Sequence, residues 1–535
     1  MGTRRNYMMG IVLLGLSVVP APVWGASDDD LVNAMMEVYA EELAANPRDY
    51  RTYYCRAAAY FSQGNMDMAL ADINQAIKYF PRKEKEDLSR AYLLRSRILT
   101  LNGEDKSALT DLNSALRLVP NLRQALKDRG DLLCRLGQYD LAKIDYNNLL
   151  RLDTRNQSAY LGLARVEAHQ GATARAQQLL EQAVNFAPQS PESYLGRSEI
   201  YREMGLLPEA VDDLLHAILL DDGQSRAMQN LIELSRESYD EVIAGLNRNI
   251  ERSPRQGMLY YVRGSVYKAH DDYAASWRDW DTILKEGFFN LPTIYYNRAY
   301  CLLHLGRFDE ARADIEKAIE KDGQNVEYYR LLAEIERGAG HWVAADQAIR
   351  QAAVYDPTNV EVCLLRGLLA CDEKHCADAL DYCNEAVSMA PSSPYPYLLR
   401  AYIQEAALND KAAAEADYRK VLTLDDHSSF LGDNFKGIAW ARLHRLDEAA
   451  KWEQQLLASE RVRPVDYFYL ACMYAPTDSV KSLDYLEKAL QQGYGDYYRL
   501  RFDEHSPISL QPVQHTARYA ALLKRYFPEL ESSEE

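Results

Sequence analysis

Residues 50–83 read YRTYYCRAAAYFSQGNMDMALADINQAIKYFPRK. Two helix-like stretches flank a break at Ser62–Asn65, and the second one ends at Pro81, which cannot continue a helix. Gly64 stands five residues before Ala69, and that step recurs along the chain. It returns at Gly103 and Ala108, Gly137 and Ala142, Gly171 and Ala176, Gly205 and Ala210, Gly306 and Ala311, and Gly340 and Ala345. Most steps are 34 residues, and Ala379, Ala414 and Ala449 continue the series. The first step is longer because of an insertion around Lys83–Leu88.

With Tyr50 as place 1, place 8 is small in nearly every unit: Ala57, Ser96, Gly130, Ala164, Ser198, Gly264, Ala299. Place 4 is often tyrosine, as in Tyr53, Tyr92, Tyr160 and Tyr295, and place 32 is proline at Pro81, Pro120, Pro188, Pro254, Pro357 and Pro391. Small residues at places 8 and 20 let two antiparallel helices approach closely. Bulky ones at places 4, 24 and 28 fill the space between hairpins.

The pattern resembles the tetratricopeptide repeat family over about residues 50–495. The resemblance implies an all-α fold, a right-handed superhelical solenoid of about 13 helix-turn-helix repeats. It divides the chain into a capping helix over 26–49, repeats 1–5 over 50–224, a degenerate repeat or joint over 225–256, repeats 7–13 over 257–495 and a capping segment over 496–535. The joint carries Asn230 where place 8 should be small, and Thr516–Phe527 reads as a capping helix.

The N-terminus has Arg4 and Arg5, an apolar run over Met8–Val19, and Val23 and Gly25 at the −3 and −1 places of a cleavage point. This reads as a secretory signal over 1–25. The run is shorter than the about 20 residues of a membrane-spanning helix, the competing reading. No later segment looks transmembrane, so no anchor is expected after cleavage. The expected location is the periplasm, with outer-membrane association or export as alternatives. Asp and Glu number 79 against 61 Lys and Arg, a net charge of −18 that loss of Arg4 and Arg5 would deepen. Such a chain is a poor nucleic-acid ligand, because phosphate affinity comes from Lys and Arg.

Place 7 is usually leucine in the family; here it is Arg56, Arg95, Arg129, Arg197, Arg263, Arg298, Arg366 and Arg400. All but one of these repeats carry aspartate at place 23: Asp72, Asp111, Asp145, Asp213, Asp279, Asp314 and, allowing one inserted residue in the turn near Asn409, Asp417. Repeats with Leu163 or Leu332 at place 7 carry Leu179 or Ala348 at place 23. Joint variation within a repeat predicts an Arg–Asp pair inside each hairpin, against an arginine row that binds anions. Arg366 faces Tyr382 and breaks the rule.

In the tenth repeat Cys363, Cys371, Cys376 and Cys383 take places 4, 12, 17 and 24. Facing places sum to about 28 when places 8 and 20 oppose each other, so Cys363 faces Cys383 and Cys371 faces Cys376. In an oxidising compartment both pairs are expected as disulfides; the alternative is four small buried thiols. A zinc site needs converging ligands, whereas these pairs lie at opposite ends of one hairpin, and no metal site is expected. Cys55, Cys134, Cys301 and Cys472 read as lone core thiols.

No HExxH, GxSxG, CxxC or phosphate-cradling loop occurs, so no catalytic residue and no cofactor is assigned. The resemblance implies a concave groove lined by the first helix of each hairpin, chiefly at places 2, 5, 9 and 12. Carried over, it assigns groove positions to Tyr54, Arg97, Arg165, Tyr261, Tyr296, Tyr300, Leu364 and Tyr402. The lysine-and-asparagine carboxylate clamp of chaperone-binding members is absent. Aromatic and leucine anchors suit a docked protein segment and predict an exposed aromatic patch at Tyr261, Tyr296, Tyr300 and Tyr402. The competing reading makes them inter-repeat core. The expected function is a non-catalytic protein-binding scaffold or adaptor of the bacterial cell envelope. Alternatives are an accessory subunit of an export or polysaccharide-assembly machine, and a metal-binding or redox sensor at 360–393.

Overall fold

The computed structural model describes residues 28–220, 225–424, 432–459, 462–503 and 506–531. The signal reading of 1–25 lies outside the described residues. Among the described residues every regular element is helical. The chain forms two compact units, Met1–Ala227 and Met228–Glu535.

In the first unit a helix over Asp28–Ala45 precedes the hairpin of Tyr50–Ser62 and Met66–Tyr79. Further hairpins follow over Lys85–Leu118, Arg123–Leu152, Gln157–Phe186 and Pro191–Leu220. The second unit carries hairpins over Gly257–Lys285, Pro292–Lys321, Val326–Tyr355, Val360–Met389, Pro394–Thr423, Gly432–Leu457 and Pro464–Gln491. Beyond Gln491 come short helices over Tyr497–Arg501 and Gln511–Gln514, a longer one over Ala517–Tyr526 and a last turn over Pro528–Glu531. Each unit is the expected all-α stack of helix-turn-helix hairpins. The insertion near Lys83 extends a first helix, Lys85–Leu101, and Glu84 there accepts from the Tyr50 hydroxyl at 2.6 Å.

Local chemistry fixes the hairpin. Asn65, Asn156, Asp272 and Asp410 cap second or first helices by accepting backbone N–H bonds. The turn between the helices needs a left-handed residue at place 15. Gly64, Gly103, Gly137, Gly171, Gly205, Gly306 and Gly340 supply it, and Asp271, Lys374, Asn409 and His444 take it over with φ of 54–63°. Places 8 and 20 are wholly buried, as at Ala57 with Ala69 and Ala299 with Ala311. In two hairpins a glycine at place 8 makes room for a large ring on the facing helix, at place 24 in one and place 23 in the other. A Cβ on Gly130 would lie 2.7 Å from the Tyr146 ring, and one on Gly437 would lie 2.5 Å from Trp452.

The Arg–Asp pairs form as expected. Arg56 forks onto Asp72 at 2.6 and 2.9 Å, and Arg129, Arg197, Arg263, Arg298 and Arg400 repeat the geometry. Arg366 instead lies over the Tyr382 ring at 4.2 Å and donates to its hydroxyl. A further contact escaped the sequence reading. The third guanidinium nitrogen of Arg95, Arg129, Arg263 and Arg400 reaches Asn74, Asn113, Asn247 and Asn384, one hairpin earlier. Each arginine therefore ties two hairpins together. Place-4 tyrosines add a second tie: Tyr160, Tyr194 and Tyr397 donate to the carbonyl oxygens of Thr154, Pro188 and Pro391 in the preceding turn.

Candidate functional site: the two grooves

In the first unit the first helices of successive hairpins line a concave cavity of about 790 Å³. Its polar lining is a ladder of ion pairs. Arg97 meets Asp128 at 2.6 Å, Lys127 meets Asp131 at 2.8 Å, and Arg165 meets Glu203 at 3.0 Å and Glu199 at 3.7 Å. Arg135 pairs with Asp105 at 3.0 Å. Asp131 also accepts from the buried Tyr146 hydroxyl at 2.7 Å. Burial, with Asp131 beside it, pushes the Tyr146 phenol far up, so it stays protonated and donates to Asp131. Phe61 and Leu101 form the apolar lip, and Leu101 is 62% exposed. Arg97 and Arg165 both line this cavity. Tyr54 is half-buried, packed against the core of the first hairpins, and burial raises its phenol.

The second unit differs. After Gln491 the chain turns at Gly493 and runs back across its own concave face. Asp496 caps the short helix and lies 2.9 Å from His304 Nδ1. Tyr498 packs among Ala299, Leu302, Leu303 and Leu331, and its hydroxyl accepts from Arg337 Nη1 at 3.1 Å. Asp503 accepts from the same nitrogen at 3.1 Å, while Arg337 Nε binds Asp372 at 2.5 Å. Phe502 meets Phe308 edge to face at 4.9 Å. A Cβ on Gly338 would lie 2.8 Å from the Tyr498 ring, so the first helix of that hairpin is bare where the tyrosine crosses it. Burial alone would raise the Asp496 carboxyl, but His304 and Arg499 beside it hold it below the ordinary carboxylate range.

The aromatic patch expected at Tyr261, Tyr296, Tyr300 and Tyr402 is not an exposed one, because inter-repeat packing takes up its rings. Tyr402 and Leu364 are buried, in one cluster with Cys363, Cys383 and Leu399. Tyr261, Tyr296 and Tyr300 are half-buried. Tyr261 leans edge-on against Trp280 at 5.1 Å, and Tyr296 packs on Tyr328 at 5.4 Å. Their rings fill the space between neighbouring first helices, and burial lifts the Tyr296 phenol to about 12. The sequence reading missed His304, Arg337, Asp496, Tyr498 and Asp503. Arg337 was legible, since it occupies groove place 12; the string Gly495-Asp-Tyr-Tyr498 is also richer in aromatics than a simple cap requires.

All eight cysteines are free thiols, so neither expected disulfide is present. The register is still informative. Cys363 and Cys383 share one core cluster, and Cys383 occupies the place-24 position below Gly367, 3.2 Å from where a Cβ would stand. Burial raises the thiols of Cys371 and Cys383 to about 12, which keeps them protonated and inert at neutral pH. Cys134, Cys301 and Cys472 are buried, and Cys55 is half-buried. Among the described residues no three His, Cys, Asp or Glu side chains converge as metal ligands, and no helix is long and apolar enough to cross a membrane.

Tetratricopeptide repeat family patterns match residues 50–83, 127–191 and 292–325. The chain is similar to mouse tetratricopeptide repeat protein 16, 21% identical over 421 residues, covering 72% of this chain and 50% of that protein. It is 36% identical over 112 residues to mouse sperm-associated antigen 1, covering 21% of this chain and 10% of that protein. The chain therefore spans half of the first relative and a tenth of the second. Among solved structures, a tetratricopeptide repeat protein from Parabacteroides merdae is 19% identical, with a TM-score of 0.27, covering 54% of this chain and 98% of that one. Repeat period, hairpin packing and family patterns agree that this chain is a tetratricopeptide repeat protein.

Proposed function

We propose that the chain is a non-catalytic scaffold of the bacterial cell envelope that holds a protein segment in the concave groove of its first unit. One observation carries this reading: that groove is open, with an apolar lip at Phe61 and Leu101 above a ladder of charges. Its arginines are already matched by carboxylates, so a long-range pull on one sign of charge is weak. A partner segment would instead anchor an apolar side chain at Leu101 and exchange individual ion pairs along Arg97 and Arg165. Exposed ion pairs contribute only about 0–1 kcal/mol each, so exchanging them costs little. The envelope assignment rests on the secretory character of residues 1–25.

The test is cross-linked capture from cell envelopes with the mature chain, beside Leu101→Asp/Arg165→Glu and Tyr296→Ala/Tyr300→Ala variants. The reading expects one set of partners that the first variant loses and the second keeps. Partners kept by both variants would move the site off the first groove. Accumulation of the untagged chain in the cytoplasm would remove the envelope assignment.

A further inference from the structure

The second unit's groove is filled by the chain itself. The filling segment sits on the groove face: Tyr300 and Arg337 stand at groove places 9 and 12 of their repeats, and His304 at the adjoining place 13. Its side chains engage them as a bound peptide would. A carboxylate meets a histidine, an aromatic ring enters a slot bared by Gly338, and a second carboxylate meets an arginine. The far side of the segment is held separately. The Leu500 carbonyl oxygen accepts from Tyr519 at 2.5 Å and from Gln514 at 3.1 Å. The segment therefore has two faces: one fixed to the C-terminal helix over Ala517–Tyr526, the other laid on the groove.

We propose that residues 494–503 are an internal ligand that keeps this groove closed. The groove takes in exchange a partner segment of the same chemistry: a carboxylate followed at once by two aromatic residues, then an aromatic residue and a second carboxylate four and five positions later, as in Asp496-Tyr497-Tyr498 and Phe502-Asp503. The tether makes the closed state strong. A covalently linked segment competes at an effective concentration in the millimolar range, which lifts its apparent affinity by roughly 10²–10⁴-fold over the same contacts made by a free peptide. An outside segment gains the groove only where the strap is weakened or where the partner adds contacts beyond it. The groove of the first unit plays no part in this argument, so the two proposals fail independently.

The probe is a fluorescein-labelled synthetic peptide of residues 495–503, titrated against the full chain by anisotropy. Wild type is expected to bind it at least about 10²-fold more weakly than a Tyr498→Ala/Asp503→Asn chain, in which the strap is loosened and the groove is untouched. Adding Arg337→Ala to the loosened chain is expected to abolish binding. Asp503→Asn alone, which keeps every ring in place, should give an intermediate affinity. Hydrogen exchange on wild type gives a second reading that needs no variant. Millimolar peptide should speed exchange of residues 494–503 while residues 292–304 stay protected. The proposal is overturned if the folded, loosened chain binds no peptide. It is equally overturned if wild type binds as tightly as the loosened chain, or if exchange in 494–503 is unmoved by saturating peptide. Each of those results makes the segment a permanent part of the core.

Discussion

Arg95 and Asp111 face each other across one hairpin, with Nε and Nη2 each 2.7 Å from a carboxylate oxygen. Asp111 is 3% exposed, so the fork takes the place of water around its carboxylate. Removing one partner of such a pair leaves the other charged and poorly solvated, a loss of about 3–5 kcal/mol when burial is complete. The Arg95 side chain is 24% exposed, so the lower end of that range applies. Arg95→Leu is expected to lower the urea midpoint strongly, and Arg95→Leu/Asp111→Leu to recover most of the loss. The fourth repeat already carries that solution, with Leu163 and Leu179 both buried at the same two places. A double variant no more stable than the single one would show that the fork does more than match charge.

Gly130 and Tyr146 give a second test. Alanine is favoured over glycine in a helix by roughly 0.8–1.0 kcal/mol. A Cβ on Gly130 would sit 2.7 Å from a Tyr146 ring held in place by Gly162 on the next hairpin and by the bond to Asp131. Overpacking of that kind costs about 1–3 kcal/mol. The clash outweighs the propensity gain, and Gly130→Ala is expected to destabilise. Thermal unfolding of the full chain checks the sign; a stabilised variant would mean that the ring yields.

The parts of the fold that were legible are those confined to one repeat. The 34-residue period, the small residues at places 8 and 20 and the Arg95–Asp111 class of pair all lie within one hairpin, and repetition displays them many times over. The bridge from Arg95 to Asn74 joins neighbouring repeats and went unread, although Asn74, Asn113, Asn247 and Asn384 all stand at place 25. The contact between His304 and Asp496 spans 192 positions and occurs once, so no periodicity announces it. That single fold-back is also why Tyr300 looked like free groove surface. The cysteine register placed Cys363 and Cys383 correctly in one cluster, but register gives proximity and not bonding.

Lys374 holds φ of 63° at the turn where most repeats have glycine. A left-handed residue with a Cβ costs roughly 1–2 kcal/mol, while glycine's extra chain entropy costs roughly 0.5–1 kcal/mol. Lys374→Gly is therefore expected to stabilise by about 0.5–1 kcal/mol. Gly340→Ala, the reverse change one repeat earlier, should destabilise. Both are read as shifts in denaturant midpoint, and a destabilised Lys374→Gly chain would show that the lysine side chain supports the turn.

His270 sets a pH dependence on the second unit. Its Nε2 lies 2.9 Å from the Ser235 hydroxyl and its ring packs on Tyr239 at 4.6 Å. Burial, with Arg236 and Arg463 nearby, pushes it down to about 4 from an ordinary value near 6.5. The folded chain then binds the proton less readily than the unfolded chain. The stability that depends on neutral His270 is complete above about pH 6.5, and it is lost progressively as pH falls toward 4, where the folded imidazole itself protonates. Asp496 works in a lower window, because its folded value lies below the ordinary carboxylate range. Its contribution is present above about 4 and lost on further acidification. Urea midpoints at pH 7.5 and 5.0 separate the two groups. Wild type is expected to lose stability between them, and His270→Gln to lose less, since glutamine keeps a polar partner for Ser235 and has no proton to gain. Equal losses in the two chains would place the acid-sensitive group elsewhere.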